Sequence, residues 1–424
     1  MKLIYLTTIL NLLFPCTIGI AYDIDNRPII WKNRDKPICC NEDCDTLNSI
    51  ENRQNTLYVR NNNISNDYLS ITSAQSISVY FGMNDKGLAI ANSLVGNNTQ
   101  TNFSIEDNRS FRIHSEATLI KRAMLECENM DCFESLLIDS LYAIENDTIS
   151  SNFAVFDSYG DAGIFEIYAN QDTVIWGSVF LDIDSLRYIN RSNHFEFDFL
   201  EYFNPLDSLS TSYERLSKAN QILEEIINEF EFEKIFHLES FLNNESSLPL
   251  LRNFSKSNLY DYPVPYAYQN SYNRPFGYFY TDNSVNRART VSSGIIIGVT
   301  SEEGPEETQI WTNIGNPTVS PYFPFKINDF INYSVNDEGD DIPDAFPLLL
   351  RGENNQSEFS ILTNQIRERL FNYSSSCSFN NYIDSYLLSG SDGIFNLINQ
   401  IENNLIQNNF SIDINLEVEN AYNE

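Results

Sequence analysis

Hydrophobic and polar positions along the chain form a few readable patterns. Lys2 and the apolar run from Leu3 to Phe14 have the charged start and short hydrophobic stretch of a signal peptide, and the run is too short to span a bilayer as a helix. Next, Cys16-Thr17-Ile18-Gly19-Ile20-Ala21-Tyr22-Asp23 reads as a strand and Arg27-Pro28-Ile29-Ile30-Trp31-Lys32-Asn33-Arg34-Asp35 as its return. Asp25-Asn26 reads as a two-residue turn between them, since Asp and Asn tolerate the left-handed backbone such turns need. In that register Tyr22 faces Ile29, Ile20 faces Trp31, Ile18 faces Asn33 and Cys16 faces Asp35. Behind Arg215, the positions Leu216, Ala219, Leu223, Ile226, Ile227 and Phe230 recur at helical spacing and give one apolar face. Helical patterns return at 358–372 and 392–407, after an acidic linker from Asn336 to Asp344. The stretches 45–76 and 241–285 are polar and rich in Asn, Ser and Tyr, and read as loops that border a pocket. The chain thus divides into a signal or pro segment (1–15), a main domain (16–330), and the acidic linker with a helical extension packed on the same domain (331–424).

Composition narrows the function. At 42% hydrophobic residues the chain can bury a large core, and a formal charge of −33 repels phosphate backbones and anionic headgroups, which argues against nucleic acid as a partner. That acidity reads as a solvated surface, because no Asp-rich loop repeat suggests cation binding. Apart from Cys16 there are six cysteines, Cys39, Cys40, Cys44, Cys127, Cys132 and Cys377, an even number that suits disulfides in an exported chain, with Cys127 to Cys132 the favoured pair. A zinc site is the poorer reading, since Cys39, Cys40 and Cys44 lack paired Cys-x-x-Cys spacing and no histidine lies nearby. No metal and no cofactor are expected.

Cys16 is the candidate for chemistry. Were it the first residue, its thiol and α-amine would supply nucleophile and base from one position, with Asp35 orienting the amine, and no histidine would be needed. That suits a chain whose His114, His194 and His237 stand in no recognisable triad setting. Where the leader is cut decides the matter. Cleavage after Ala21 would discard Cys16, cleavage between Pro15 and Cys16 would expose it, and Leu13-Phe14-Pro15-Cys16 as a lipoprotein box would acylate it. The bland alternative is a surface hairpin with an incidental cysteine.

The opening segment resembles the start of the Ntn-hydrolase group that includes choloylglycine hydrolases, penicillin V acylases and acyl-CoA:6-aminopenicillanate acyltransferase-like proteins. Members open on Cys-Thr and close the second strand with Arg/Lys-Asn-x-Asp, here Lys32-Asn33-Arg34-Asp35, and the stretch from Arg27 to Asp35 is most similar to the acyltransferase-like branch. Further blocks follow in the family's order: Phe81 to Ser93, Ser151 to Asp157 continuing to Glu166, Arg191-Ser192-Asn193-His194-Phe195, Ser212-Tyr213-Glu214-Arg215, Thr290-Val291-Ser292-Ser293, and Gln309-Ile310-Trp311-Thr312.

The resemblance implies an α+β fold, the four-layer αββα Ntn-hydrolase sandwich of two packed antiparallel sheets between helices. It implies Cys16 as acyl-accepting nucleophile, Asp35 orienting its amine, Asn193 and then Asn92 as side-chain amide donors to an oxyanion, and Arg215 reaching from a helix start towards Asp35 or substrate. His194 would neighbour the oxyanion donor. Lys32 stands where the bile-salt branch has an arginine; residues three apart on a strand point to opposite faces, so either a bulge brings it round to Asp35's side or it is an ordinary strand lysine, and Arg34 is ambiguous for the same reason. The expected reaction is hydrolysis of a linear amide in a small-molecule substrate through a thioester acyl-enzyme. The rivals are acyl transfer to an amine and a non-catalytic surface lipoprotein that kept the fold. The expected setting is secreted or periplasmic, with no stable membrane insertion after processing.

Overall fold

The computed structural model describes residues 16–35, 54–59, 65–73, 79–95, 115–142, 148–201, 204, 209–237, 249–252, 278–280, 284–287, 290–318, 320–330, 345–347, 382–384 and 394–407. In chain order its strands are β1 (Cys16–Tyr22), β2 (Pro28–Asp35), β3 (Gln54–Val59), β4 (Tyr68–Ser73), β5 (Phe81–Asn84), β6 (Ala89–Leu94), β7 (Ile149–Phe156), β8 (Ala162–Ala169), β9 (Val174–Phe180), β10 (Tyr188–Arg191), β11 (Tyr278–Tyr280), β12 (Thr290–Ile297), β13 (Gln309–Ile314), β14 (Phe323–Phe325), β15 (Ala345–Pro347) and β16 (Tyr382–Asp384). The helices are α1 (Ser115–Glu126), α2 (Met130–Tyr142), α3 (Leu209–Ile226) and α4 (Ile394–Gln407).

Two antiparallel sheets dominate, one ordered β10-β1-β2-β12-β13-β14 and the other β15-β3-β4-β5-β6-β7-β8-β9; β11 and β16 form a small pair apart. Alternation along the strands fills three apolar layers. Ile18, Ile20, Ile30, Ile296 and Ile310 of the first sheet meet Leu69, Ile71, Phe81, Ala91 and Ile164 of the second. The second sheet's other face, with Ile90, Phe153, Val155 and Phe165, is covered by Ile120, Met124, Phe133 and Leu137 of α1 and α2. The first sheet's other face, with Ile29, Trp31, Ile295 and Trp311, is covered by Ala219 and Leu223 of α3 together with Phe230 and Phe236. The result is the αββα sandwich that the resemblance implies. Because both sheets are covered on both faces, β1 and β2 are buried along their whole length.

The β1–β2 turn departs from expectation. Asp23 Oδ1 accepts from the backbone nitrogens of Asp25 and Arg27, Asp23 N donates to Arg27 O, and Asn26 takes the positive φ of 63°. The loop is therefore three residues closed by Asp23 and Arg27, and the register moves by one: Tyr22 pairs with Pro28, Ile20 with Ile30, Ile18 with Lys32 and Cys16 with Arg34.

Two further readings change. The stretch 45–76, expected as loop, carries β3 and β4; in β4, Leu69 and Ile71 reach the inter-sheet core, and the buried Ser70 and Thr72 that alternate with them disguise the strand as a polar run. Within 241–285, Leu250–Arg252 is a 3-10 turn and Tyr278–Tyr280 is β11. The helical face behind Arg215 is α3 as far as Ile226, and the pattern at 392–407 is α4; the pattern at 358–372 and the linker from Asn336 to Asp344 lie outside the described residues. Cys127 and Cys132 are disulfide-bonded, tying the end of α1 to α2, whereas Cys39, Cys40, Cys44 and Cys377 lie outside the described residues. No helix among the described residues is long and apolar enough to cross a membrane.

Candidate active site

Cys16 opens β1 between β10 and β2, and it is a free, buried cysteine. The chain just beyond β10 and the second turn of α3 close over it. Cys16 N donates to Asn193 Oδ1 at 2.8 Å. Arg215, itself buried, donates to Cys16 O at 2.9 Å, to Thr17 Oγ1 at 3.0 Å and to Asn193 Oδ1 at 2.6 Å. Two donors converging on one atom require that atom to be the amide oxygen. Asn193 therefore turns its carbonyl to Cys16, and its Nδ2 donates to Leu94 O at 2.6 Å. The amide nitrogen expected to donate to an oxyanion is thus engaged by Leu94 O.

The one-residue shift of register redistributes the residues of β2. Arg34 and Lys32 lie on the face of Cys16 and Ile18, towards the second sheet, whereas Asp35 falls on the face of Asn33 and Trp31. No bulge in β2 is needed to bring Lys32 to the side of Cys16. The expected pairing of Asp35 across from Cys16 is not found. Asp35 accepts from Thr290 Oγ1 at 2.6 Å and lies 3.6 Å from Arg287 Nη1.

Lys32 has an unusual setting. Its Nζ donates to Tyr80 O at 3.0 Å, Asn92 O at 2.5 Å and Asn92 Oδ1 at 2.8 Å. Three hydrogens thus meet three neutral oxygens, and among the described residues no carboxylate pairs with it. Burial, reinforced by the neighbouring Arg34 charge, pushes the ammonium down to about 8 against the opposing pull of Cys16. Asn92 uses its oxygens on Lys32, and its Nδ2 is 3.4 Å from Ser151 Oγ. Arg34 lies over the Tyr80 ring at 3.9 Å. A void of about 10 Å³ lined by Lys32, Arg34, Tyr80 and Ser292 has room for about one water. The larger cleft, about 540 Å³, opens against Arg187, Asn190 and Arg191 of β10 and Asn220 of α3, and Cys16 is not part of its lining. The cleft and the hydrogen-bonded cluster at the start of β1 are therefore separate features.

The arrangement has the parts of acyl chemistry: a thiol, a backbone nitrogen held by an amide oxygen, and two buried cations on the thiol's face of the sheet. The sequence profile of the acyl-coenzyme A:6-aminopenicillanic acid acyl-transferase family matches residues 31–257, more than half of the chain. The chain belongs to this acyltransferase family. Solved structures similar to it include an N-acylethanolamine-hydrolyzing acid amidase ortholog from Caenorhabditis elegans, at 12% identity over 69% of this chain and 98% of that one, with a TM-score of 0.37. Penicillin V acylase from Agrobacterium tumefaciens is similar at 12% identity over 74% and 86%, TM-score 0.39. So is a variant of conjugated bile acid hydrolase from Clostridium perfringens, at 10% over 80% and 98%, TM-score 0.39. No curated protein matches the sequence.

Several acyltransferase-family blocks hold residues to which sequence reasoning gave no role. Thr17 Oγ1 and Ser212 Oγ bind Arg215 and Asn193 N, and Thr290 with Arg287 holds Asp35. For Thr17, Ser212 and Thr290 the signal was position alone, inside a family block, since a hydroxyl carries no periodicity of its own; Arg287 lies outside every block. Among the described residues no group of three His, Cys, Asp or Glu side chains could hold a metal.

Proposed function

We propose that this member of the acyltransferase family is an exported cysteine amidohydrolase, in which removal of residues 1–15 makes Cys16 the N-terminal nucleophile. The observation that carries the reading is the double grip on Cys16: its nitrogen on Asn193 Oδ1 at 2.8 Å and its carbonyl on Arg215 at 2.9 Å. A free amine at that nitrogen keeps the Asn193 bond while its lone pair takes the thiol proton. The thiolate adds to the carbonyl of a linear amide, the amine leaves with the transferred proton, and water discharges the thioester. Lys32 and Arg34, on the same face of β2, oppose the negative charge that develops. Asp35, fixed by Thr290 and Arg287, belongs to the second rank of this scheme and contributes through the end of β2. Export is supported by the leader-like run Leu3 to Phe14 and by the Cys127–Cys132 disulfide.

Intact-mass analysis of purified mature protein tests the first step: a mass beginning at unmodified Cys16 is expected, and a start at Tyr22 or an acylated Cys16 rejects the mechanism. Cys16→Ala should then abolish turnover of simple N-acyl amides with the unfolding midpoint kept, and unchanged turnover ends the proposal. The family profile favours one sibling reaction, discharge of the same thioester by an amine. Adding an acceptor amine and finding N-acyl product in place of free acid would assign it.

A further inference from the structure

Asn193 is held from behind by a chain of side chains that the chemistry above does not use. Its backbone nitrogen donates to Ser212 Oγ at 2.9 Å; Ser212 Oγ lies 2.7 Å from His194 Nδ1, and His194 Nε2 lies 2.6 Å from Glu196 Oε1. Ser212 and His194 are buried, whereas Glu196 is 37% exposed at its side chain and borders the open cleft beside β10.

The direction of each bond follows from counting hydrogens. A serine hydroxyl has one. Ser212 Oγ already accepts from Asn193, so its hydrogen goes to Nδ1, which must then be bare. The ring proton sits on Nε2 and donates to Glu196, and this bond, partly offset by burial, holds the Glu196 carboxyl below the usual carboxylate range. The chain closes only with a neutral imidazole. A proton on Nδ1 would reverse the Ser212 bond and strand a buried hydroxyl hydrogen, which is unfavourable.

The neighbouring backbone is fastened differently. Asn152 Nδ2 donates to Ser192 O and His194 O, Ser93 Oγ donates to Ser192 O, and Asn204 bonds both the nitrogen and the oxygen of Phe195. None of these fasteners titrates. At Asn193 alone in this stretch, the backbone nitrogen is given to a hydroxyl wired to a histidine. We propose that Ser212, His194 and Glu196 are positioning residues that keep the Asn193 oxygen on the Cys16 nitrogen, and that protonation of His194 releases it.

Histidine is the side chain that takes up a proton between neutral and mildly acidic solution. The charged and titratable groups around the imidazole are Glu196, Arg191 of β10, Glu166 of β8, which accepts from Arg191 and from the nitrogens of Glu196 and Phe197, and Glu201, with Tyr213 and Arg215 of α3; the Tyr213 ring centre is 3.9 Å from the imidazole's.

The inference rests on Cys16 being the nucleophile, so its test carries a readout that needs no turnover. The rate at which iodoacetamide alkylates Cys16 in mature protein, followed on the N-terminal peptide by mass spectrometry, is measured from about pH 4 to pH 9 beside kcat/KM. Wild type should lose both rates on the acid side. Glu196→Gln keeps the acceptor but removes the charge that stabilises the imidazolium, and should move that acid limb to lower pH. His194→Asn keeps an acceptor for Ser212 and cannot take the proton, and should leave only the acid loss that follows protonation of the Cys16 thiolate and amine, with the unfolding midpoint kept. Ser212→Ala should slow kcat/KM about tenfold or more at every pH with little change in KM. An acid limb at the same pH in wild type and Glu196→Gln overturns the proposal, and that comparison survives should His194→Asn not fold. If the alkylation limb shifts as expected while no preparation turns over an amide, the amidase reading fails and the positioning chain stands. If Cys16-dependent turnover is present and both limbs ignore the substitutions, the chain alone fails.

Discussion

Lys32 and Arg252 are both withdrawn from water, and the fold treats the two charges in opposite ways. Arg252 meets Glu402 of α4 with two parallel bonds of 3.0 and 2.6 Å, donates to Pro317 O, Ser320 O and Phe236 O, and leaves Glu402 Oε1 free to accept from Tyr322 N as well. Both side chains are completely buried, and every charge has its counter-charge. Lys32 has only neutral oxygens, stands next to a second cation, and is pushed down to about 8 by burial. A compensated buried pair fastens α4 to the 3-10 turn that carries Arg252. An ammonium without a carboxylate, on the same face as a thiol, is on the mechanism proposed above a charge held ready for an anion that forms only during reaction.

The largest expected effect comes from breaking the compensated pair. Glu402→Ala leaves Arg252 charged and dry and should cost about 3–5 kcal/mol in urea unfolding. Combining Arg252→Met with Glu402→Leu should recover much of that, and a single-variant loss below about 1 kcal/mol would show that α4 is held by apolar contacts alone. Lys32→Met should do the reverse: unfolding stability unchanged or raised, because an uncompensated charge is removed, with kcat/KM lowered about 10²–10³-fold. A stability loss as large as that of Glu402→Ala would erase the distinction between the two cations. The smallest effect is one of pH. Lys32 is cationic below about 8 and neutral above it, so wild-type kcat/KM should fall as pH rises through that value. Its folded value lies below the unfolded one of about 10.4, so the unfolded chain binds more protons in between and the Lys32 contribution to stability rises with pH across that window. Lys32→Arg, which stays charged, should move the alkaline limb upward and remove that rise. An unmoved limb would assign it to another group.

The same contrast shows what the sequence made legible. α4 was readable as a helix from its apolar spacing, yet Glu402 lies four residues past Ile398 and beside Ile401, inside the apolar stripe. A carboxylate there signals a buried partner, but only folding identifies it as Arg252, 150 residues earlier in the chain. At Cys16 the hairpin was readable and its register was not. One side-chain oxygen of Asp23, taking two backbone hydrogens, added a residue to the loop, and that exchanged Asp35 for Arg34 as the partner of Cys16. Asn193 and Arg215 were readable because they stand in family blocks; which way the Asn193 amide turns was decided by Arg215, a contact across 22 residues.

The pairing of β2 with β12 also governs when the site can exist. Cys16 is made early, but Asn193 lies 177 residues and Arg215 199 residues further along, and Thr290 lies 255 residues beyond Asp35, on which it closes. Contacts between such distant residues bear the entropy of closing long loops and form late in folding. A chain that has not yet reached β12 therefore lacks the partner of Asp35, and completion of the surroundings of Cys16 waits for the last central strand.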